Sequence, residues 1–255
     1  MVSILLVAAL QPSTFGRTPV LPKDTDAKIT EFLSPHSVFV DSKAKPRGEL
    51  LVYLPGTNGK TGNTDGFCRT AAQLGYQVIN LMYPNTIPAT VARRDKDRNA
   101  FANFRLEVIE GKDLSKSIVV DRANSIENRL IKLLTFLDKS EPTEGWGKYL
   151  TKSGDLNWSK KVARAILFGG PKDYDRAVSK PAGWITKPST PLGLVFTFNH
   201  EQDGQGCDFK EQLEICRTMG LEEFGASVSV DKVEPPYKNS RILTTNYPGT
   251  KVSSI

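Results

Sequence analysis

A strand–helix–strand unit in the first third of the chain constrains the fold more than any other feature. Glu49–Leu54 is a short apolar run stopped by Pro55-Gly56, and it predicts a strand buried on both faces. Phe67–Leu74 has helical spacing and ends at Gly75, and Tyr76–Tyr83 predicts a second strand. Because a helix that joins two neighbouring strands leaves them parallel, the unit predicts a parallel sheet and an α/β fold class.

The rest of the chain extends this pattern. A helix from Ile126 to Leu137 is predicted because its leucines fall on one face and Asn124 or Ser125 can cap it. We interpret the polar residues 91–117 as a solvated loop or a short helix. Four further segments complete the predicted elements: strands at Ala163–Phe168, Pro191–Phe198 and Arg241–Thr245, and a helix at Glu211–Met219 closing at Gly220.

Composition limits the class of function. Among 255 residues, 39 % are apolar and 24 % charged, which excludes a disordered chain or a disulfide-rich miniprotein. The net charge is +6, but the basic residues are scattered, so we expect no nucleic-acid partner. No apolar run of about 20 residues occurs, so no membrane span is expected. Without internal repeats, residues 21–255 are predicted to form one domain.

Residues 1–20 leave two alternatives open. Met1–Leu10 is apolar, but the basic front of a secretory signal is absent and Ala8-Ala9 gives only a loose cleavage site. The segment is therefore either a signal peptide or a buried N-terminal strand. The first alternative predicts a secreted or periplasmic protein, and the second predicts a cytoplasmic one.

The three cysteines allow at most one internal disulfide. Cys207 and Cys216 are the better pair because they are close in sequence, and Cys68 would then remain a thiol. The cysteines fit no metal-ligand spacing, and a zinc site would need further ligands from His36 and His200. We expect no metal and no cofactor.

The candidate site lies in the loops after the predicted parallel strands, where α/β proteins bind ligands. The glycine-rich turn Pro55–Gly59 can present backbone N–H groups to a negative oxygen, unless it is only a tight turn. In the last such loop, Asp203 is the better candidate for a triad acid and Glu201 the second, unless the loop is only a polar turn. We interpret His200 as a turn residue and His36 as a surface-loop residue, so neither is assigned as a base.

Several short sequence segments, taken together, resemble a known protein family. They are LVYLPGTNG, GYQVINLMYPN, DRANSIENRLIKLL, LNWSK, ILFGGPKDYD and FTFNHEQDGQGC, and the similarity as a whole runs from roughly Leu50 to Thr250. This combination is similar to the bacterial-type α/β-hydrolase-fold family of BPSS-like hydrolases. The resemblance implies a single-domain, mostly parallel, eight-stranded-type sheet with helices on both faces, and a Ser–Asp–His triad. By position, Gly56 and Thr57 match the oxyanion loop and Asp203 matches the triad acid.

Two departures from that family concern catalysis. The nucleophile elbow G-x-S-x-G is absent, and Gly225–Ser229 lacks its last glycine. A strand, turn and helix of about 20 residues are missing between Lys160 and Ala163. No histidine follows His200, so the nucleophile and the base are both unassigned.

The sequence therefore predicts an α/β-hydrolase-like chain of ester or acyl hydrolase ancestry without a working triad. It is either a truncated or mis-spliced hydrolase or a catalytically dead relative. The alternative function is a non-catalytic module that binds a small molecule or a partner in the former cleft. A third hypothesis is residual hydrolysis by Ser153 or Ser159.

Overall fold

The computed structural model describes residues 16–157, 164–204 and 206–248. They form a mixed α/β fold with two four-stranded sheets and one two-stranded sheet. The strands are β1 (Gly16–Val20), β2 (His36–Val40), β3 (Leu50–Tyr53), β4 (Gln77–Asn80), β5 (Ala165–Phe168), β6 (Tyr174–Asp175), β7 (Lys180–Pro181), β8 (Val195–His200), β9 (Val228–Ser229) and β10 (Ile242–Thr245). The helices are α1 (Pro22–Thr25), α2 (Asp65–Gln73), α3 (Ala100–Glu110), α4 (Ile126–Ser140) and α5 (Phe209–Met219).

The first sheet has the strand order β1-β2-β4-β3. Strands β3 and β4 run parallel, as the strand–helix–strand unit predicts, whereas β2 is antiparallel to both β1 and β4. Helix α2 packs on the face that carries Phe39 and Val78, and α4 packs on the face that carries Val38 and Ile79. Because neighbouring residues of a strand point to opposite faces, the two helices cover both faces of this sheet.

The second sheet has the order β5-β8-β10-β9, and all of its pairings are parallel. Helix α5 contributes Ile215, Cys216 and Met219 to the core beside it, together with Val195 of β8 and Ile242 of β10. The resemblance implies one mostly parallel sheet, but the described residues form two, because β3 and β5 do not pair with each other.

The facing ends of the two sheets meet through aromatic side chains. The Tyr53 and Phe168 ring centroids are 6.3 Å apart, and Phe67 of α2 lies 5.5 Å from Tyr53 and 5.3 Å from Phe168. Since Tyr53 and Phe168 are the last residues of β3 and β5, the carboxyl ends of these strands lie side by side. The predicted burial of the first strand on both faces is wrong, because β3 ends its sheet and all four of its residues are only partly buried.

Helix ends follow the local sequence closely. The Ser125 side chain caps α4 by accepting a hydrogen bond from the Asn128 backbone N–H at 3.3 Å. Helix α5 begins with a capping box between Asp208 and Glu211 and ends at Gly220, whose φ is +93°. Both predicted helices are confirmed, with α5 beginning two residues earlier than expected.

Two interpretations of polar parts of the chain need correction. Residues 91–117 contain a helix, as one of the two alternatives predicts, but α3 has 11 residues and is not simply solvated, because its Phe101 and Phe104 are buried. His36 lies in β2 with no exposed surface, because Ser37 and Val38 pair with β4 on one side while His36 pairs with β1 on the other. The fourth predicted strand begins later than expected, as β8 at Val195.

The N-terminal segment Met1–Leu10 lies outside the described residues, so its two alternatives stay predictions. Gly16–Val20 forms β1, which pairs with β2. The domain division at residue 21 likewise remains a prediction. In the described part of the chain, no helix combines the length and the apolar character needed to cross a bilayer.

Candidate functional site

The loop after β3 is held in a fixed shape by side chains that follow β4. The Asn85 Nδ2 atom donates to the carbonyl oxygens of both Gly56 and Gly59, each at 2.9 Å. The Tyr83 hydroxyl donates to the Pro55 carbonyl at 2.7 Å. Gly59 folds back so closely that a Cβ there would lie 2.9 Å from the Gly56 oxygen. The glycine-rich turn is therefore anchored through its carbonyl groups.

This anchoring leaves the amides of Gly56 and Thr57 unused. Both residues are exposed, and neither amide nitrogen donates a hydrogen bond to any described residue. The next amide, that of Asn58, donates to the Asn85 carbonyl at 2.9 Å. Two neighbouring unused N–H groups beside the carboxyl end of a parallel strand are the arrangement that can bind a carboxylate or an oxyanion.

Asp203 lies in the loop after β8, and its side chain is completely buried. One of its oxygens, Oδ2, accepts from the Lys172 Nζ atom at 2.8 Å and from the Gln212 Nε2 atom at 3.0 Å. Lys172 follows β5, the neighbouring strand, and its side chain is 19 % exposed. The candidate acid is thus the buried end of an ion pair that ties two loops together.

Neither histidine bonds to Asp203. The His200 Nδ1 atom accepts from the Gln202 backbone N–H at 3.1 Å, and its buried Nε2 atom has no partner among the described residues. The His36 Nδ1 atom accepts from the Met82 backbone N–H at 3.0 Å, and burial lowers the pKa of His36 to about 3. The described residues therefore contain no His–Asp pair at this position.

The second acid candidate, Glu201, is exposed and accepts from the Thr244 hydroxyl at 3.1 Å. A carboxylate that the sequence did not single out, Asp231, lies near His200. Its pKa is lowered, first by the hydrogen bond from the Asn246 backbone N–H and to a smaller extent by the charge of His200. Asp231 is exposed. Its carboxylate accepts hydrogen bonds from the Thr245 hydroxyl and the Asn246 backbone N–H, and these bonds hold the loop after β10 in place.

Two other residues of the site were missed from the sequence, Lys172 and Asp173. Asp173 is fully buried; its Oδ2 atom accepts from the Arg105 Nε atom at 2.6 Å and from the Trp184 indole N–H at 3.0 Å. The available signal was their position, since both lie in the loop after β5, just beyond Gly169, Gly170 and Pro171.

The predicted disulfide between Cys207 and Cys216 is not formed, and all three cysteines are buried free thiols. Cys216 on α5 instead donates to the Thr197 hydroxyl at 3.6 Å. Burial raises the pKa of Cys68 and of Cys216 to about 11, and it also raises the pKa of Cys207. Protonated, buried thiols of this kind are poor nucleophiles.

Of the two proposed substitute serines only Ser153 lies within the described residues, and its hydroxyl bonds to Thr151 and Asp155 rather than to a histidine. Ser153 is exposed, and its hydroxyl donates to the Asp155 carboxylate at 3.0 Å. Ser159 lies outside the described residues, as does the whole junction from Lys160 to Ala163. Within the ranges that the structure covers, no group of three His, Cys, Asp or Glu side chains could hold a metal ion.

Comparisons with family models, curated proteins and solved structures gave no match to this chain. The resemblance to BPSS-like hydrolases therefore depends on the sequence phrases quoted above.

Proposed function

We propose that this chain is an α/β-hydrolase-fold protein of ester or acyl hydrolase ancestry that does not catalyse serine hydrolysis. The observation that carries the proposal is the partner of Asp203. The resemblance assigns this carboxylate to a histidine, whereas Lys172 occupies it at 2.8 Å. The Oδ2 atom of Asp203 is bound by an ammonium group and an amide, and no histidine bonds to this carboxylate among the described residues, so it does not orient an imidazole there.

The sheet topology supports the hydrolase ancestry. The resemblance implies a strand–elbow–helix unit directly before the strand that became β5, and the sequence has no G-x-S-x-G segment there. In the structure, the first sheet ends at β3 and the second sheet ends at β5. These two strands are in contact through Tyr53 and Phe168 but do not pair, so the break between the sheets lies beside β5. The segment that the resemblance implies and the break between the sheets therefore both lie at the start of β5.

Esterase activity tests the proposal directly. We expect purified chain to hydrolyse p-nitrophenyl acetate no faster than the same chain with Asp203→Asn. Turnover that a serine-directed fluorophosphonate abolishes, and that Ser153→Ala or Ser159→Ala removes, would contradict it. Genomic DNA flanking the codons of Lys160 and Ile255 separates a mis-spliced hydrolase from a dead relative, because only the former encodes G-x-S-x-G and a later histidine there.

The unused amides of Gly56 and Thr57 favour a second candidate function, the binding of a small carboxylate without turnover. Exposed N–H groups on a rigid turn can bind an anion even where no nucleophile is present. In this proposal the former cleft serves as a binding site for a small acid.

Thermal melts against short-chain carboxylic acids and their methyl esters test this candidate. We expect the acids to raise the melting temperature and the esters not to, because only the acids carry a charge for the two amides. The matched variant is Thr57→Pro, which removes one amide donor at an exposed position. An equal shift in this variant and in wild type would contradict binding at the turn.

A further inference from the structure

Four aromatic rings meet near the carboxyl ends of three strands and form an aromatic cluster. Tyr53 ends β3, Phe168 ends β5, and Phe198 lies two residues before the end of β8. The fourth ring, Phe67, comes from α2. Because α/β proteins bind ligands beyond the carboxyl ends of their parallel strands, the aromatic cluster lies where a ligand is expected.

Phe168 is the centre of the aromatic cluster. Its ring centroid lies 5.3 Å from that of Phe67, 6.0 Å from that of Phe198 and 6.3 Å from that of Tyr53. Rings at such distances attract each other more than the area that they bury would account for. Although three rings pack around Phe168, it is 41 % exposed, so part of its surface is open to a further ring.

The aromatic cluster is close to the glycine-rich turn. Tyr53 precedes Gly56 by three residues, so their Cα atoms are at most about 11 Å apart. The Tyr83 hydroxyl, which donates to the Pro55 carbonyl at 2.7 Å, also interacts with Tyr53. Burial raises the pKa of Tyr83, and to smaller extents the charge of Arg105 lowers it and Tyr53 raises it. Tyr53 therefore links the rings to the turn.

The anchored carbonyl groups of the turn fix the direction of its unused amides. The peptide bonds that join Pro55 to Gly56 and Gly56 to Thr57 are trans, so the C=O and N–H of each planar unit point in opposite directions. The Pro55 carbonyl points to the Tyr83 hydroxyl. The Gly56 carbonyl points to the Asn85 side chain. The amides of Gly56 and Thr57 therefore both point away from the loop after β4.

The turn and the aromatic cluster favour two chemical features in one ligand. Neighbouring N–H groups that donate to no described residue, here those of Gly56 and Thr57, can bind an anion such as a carboxylate. An exposed aromatic surface beside them favours an apolar ring, since ligand sites combine aromatic walls with a few polar groups. Both features occur together in a molecule that has one carboxylate and one aromatic ring a few bonds apart.

We propose that the small acid bound at the turn is an arylalkanoate, an acid whose carboxylate and aromatic ring are joined by a short alkyl chain. The carboxylate accepts hydrogen bonds from the amides of Gly56 and Thr57, and the ring packs on the exposed part of Phe168. The alkyl chain spans the interval between the turn and the aromatic cluster. This inference rests on the carboxylate binding proposed above and adds the chemical class of the acid.

Two acids that differ only in the ring test the inference. They are propionate and hydrocinnamate, which is propionate with a terminal phenyl group, and the readout is the amide resonances of Gly56 and Thr57 in isotope-labelled chain. We expect both acids to shift these resonances and hydrocinnamate to bind at least about fivefold more tightly, because its ring adds an aromatic contact.

The outcomes of this titration separate the two proposals. Equal affinities for propionate and hydrocinnamate would overturn the arylalkanoate and leave the carboxylate site of the turn intact. Resonances of Gly56 and Thr57 that neither acid shifts would contradict carboxylate binding at the turn, and the inference would fail with it. Both comparisons use the wild-type chain, so they do not depend on the folding of a variant.

Two further ligands test the carboxylate and the ring one at a time. Hydrocinnamamide keeps the ring and loses the charge, whereas cyclohexanepropionate keeps the charge and replaces the aromatic ring with a saturated one. Each should bind at least about threefold more weakly than hydrocinnamate. Equal binding of the amide would overturn the role of the turn. Equal binding of cyclohexanepropionate would overturn the aromatic class in favour of any apolar ring.

Phe168→Leu tests the contact with the ring, because it removes the aromatic group and keeps an apolar side chain. It should bind hydrocinnamate about fivefold more weakly and propionate as wild type does. The matched control is Tyr76→Leu, which removes a partly exposed ring at the amino end of β4 and should bind both acids as wild type does. Equal losses of hydrocinnamate binding in the two variants, or an unchanged affinity in Phe168→Leu, would overturn the contact.

Discussion

The two sheets bury their polar groups in different ways. Beside the first sheet, Arg129 is fully buried and makes five hydrogen bonds, four to backbone carbonyls and one to the Asn124 side chain. Beside the second sheet, the buried groups are the carboxylates of Asp203 and Asp173, each paired with a cationic side chain. One half thus holds a buried cation with neutral oxygens, and the other holds buried anions with cations.

The two kinds of buried group also differ in how many segments of the chain they connect. Carbonyl oxygens of residues 31, 32, 82 and 124 converge on Arg129, so a single side chain fixes three separate segments around the first sheet. The ion pair of Lys172 and Asp203 fixes only two neighbouring loops, and it does so where the resemblance places a catalytic acid. In the first half a buried cation therefore joins three segments, whereas in the second half a candidate site residue holds two loops together.

Replacing Arg129 should have the largest effect on stability. Arg129→Met keeps much of the side-chain volume but leaves several buried carbonyl groups without a donor. We expect a loss of about 4 kcal/mol in the free energy of unfolding, measured by urea denaturation. Lys132→Met, one turn later at a partly exposed position of the same helix, is the control and should change stability by less than about 1 kcal/mol. Equal losses in the two variants would contradict the role given to Arg129.

Breaking the ion pair of the second half should cost somewhat less. Lys172→Met leaves the Asp203 carboxylate buried with Gln212, and we expect a loss of about 3 kcal/mol. Adding Asp203→Asn removes the buried charge and should restore about half of that loss. Urea denaturation of both variants and of Asp203→Asn alone completes the cycle. Strict additivity of the two single changes would show that the pair is not coupled.

Much of the fold could be predicted because its signals are local. A few neighbouring residues are enough to predict these helices. Helix α4 is indicated by its Ser125 cap and its leucine spacing, and α2 and α5 by the glycines at their ends. The burial of helix α3 was not predicted, because the charged Glu107 lies on its buried face. That carboxylate accepts backbone N–H groups of Leu114, Ser115 and Val120, contacts that no spacing rule can predict.

The candidate site was predictable only in part. The positions of Gly56, Thr57 and Asp203 follow from where strands end, and the structure places them in such loops. The partner of Asp203 could not be predicted, since Lys172 comes from a different loop and meets it only when β5 and β8 pair. His36 was misplaced because its burial depends on strands that pair on both sides of β2.

His36 gives the first half a pH dependence of its own. Its pKa is lowered from 6.5 to about 3, chiefly by burial and also by the charge of Arg129. Between these values the unfolded chain binds a proton that the folded chain does not, so stability falls as the pH falls below 6.5. At pH 4.5 this amounts to about 3 kcal/mol relative to neutral pH.

The measurement is urea denaturation at pH 7.5 and pH 4.5 for wild type and for His36→Asn, whose amide oxygen can still accept from Met82. Carboxylates titrate in both proteins, so the difference between their pH dependences isolates the imidazole. We expect the variant to lose about 3 kcal/mol less than wild type on acidification. Identical losses would show that His36 is not buried in its neutral form.

Helix caps should give the smallest effects and should not distinguish the two halves. Ser125 caps α4 beside the first sheet, and Asp208 caps α5 beside the second, where Glu211 completes the capping box. Ser125→Ala and Asp208→Ala should each cost about 1 kcal/mol, because each leaves one N-terminal amide without its acceptor. Asp208→Asn retains an acceptor and should cost less than half as much. If either alanine variant lost as much free energy of unfolding as Arg129→Met, helix caps would contribute as much to stability as the buried polar groups that distinguish the two halves.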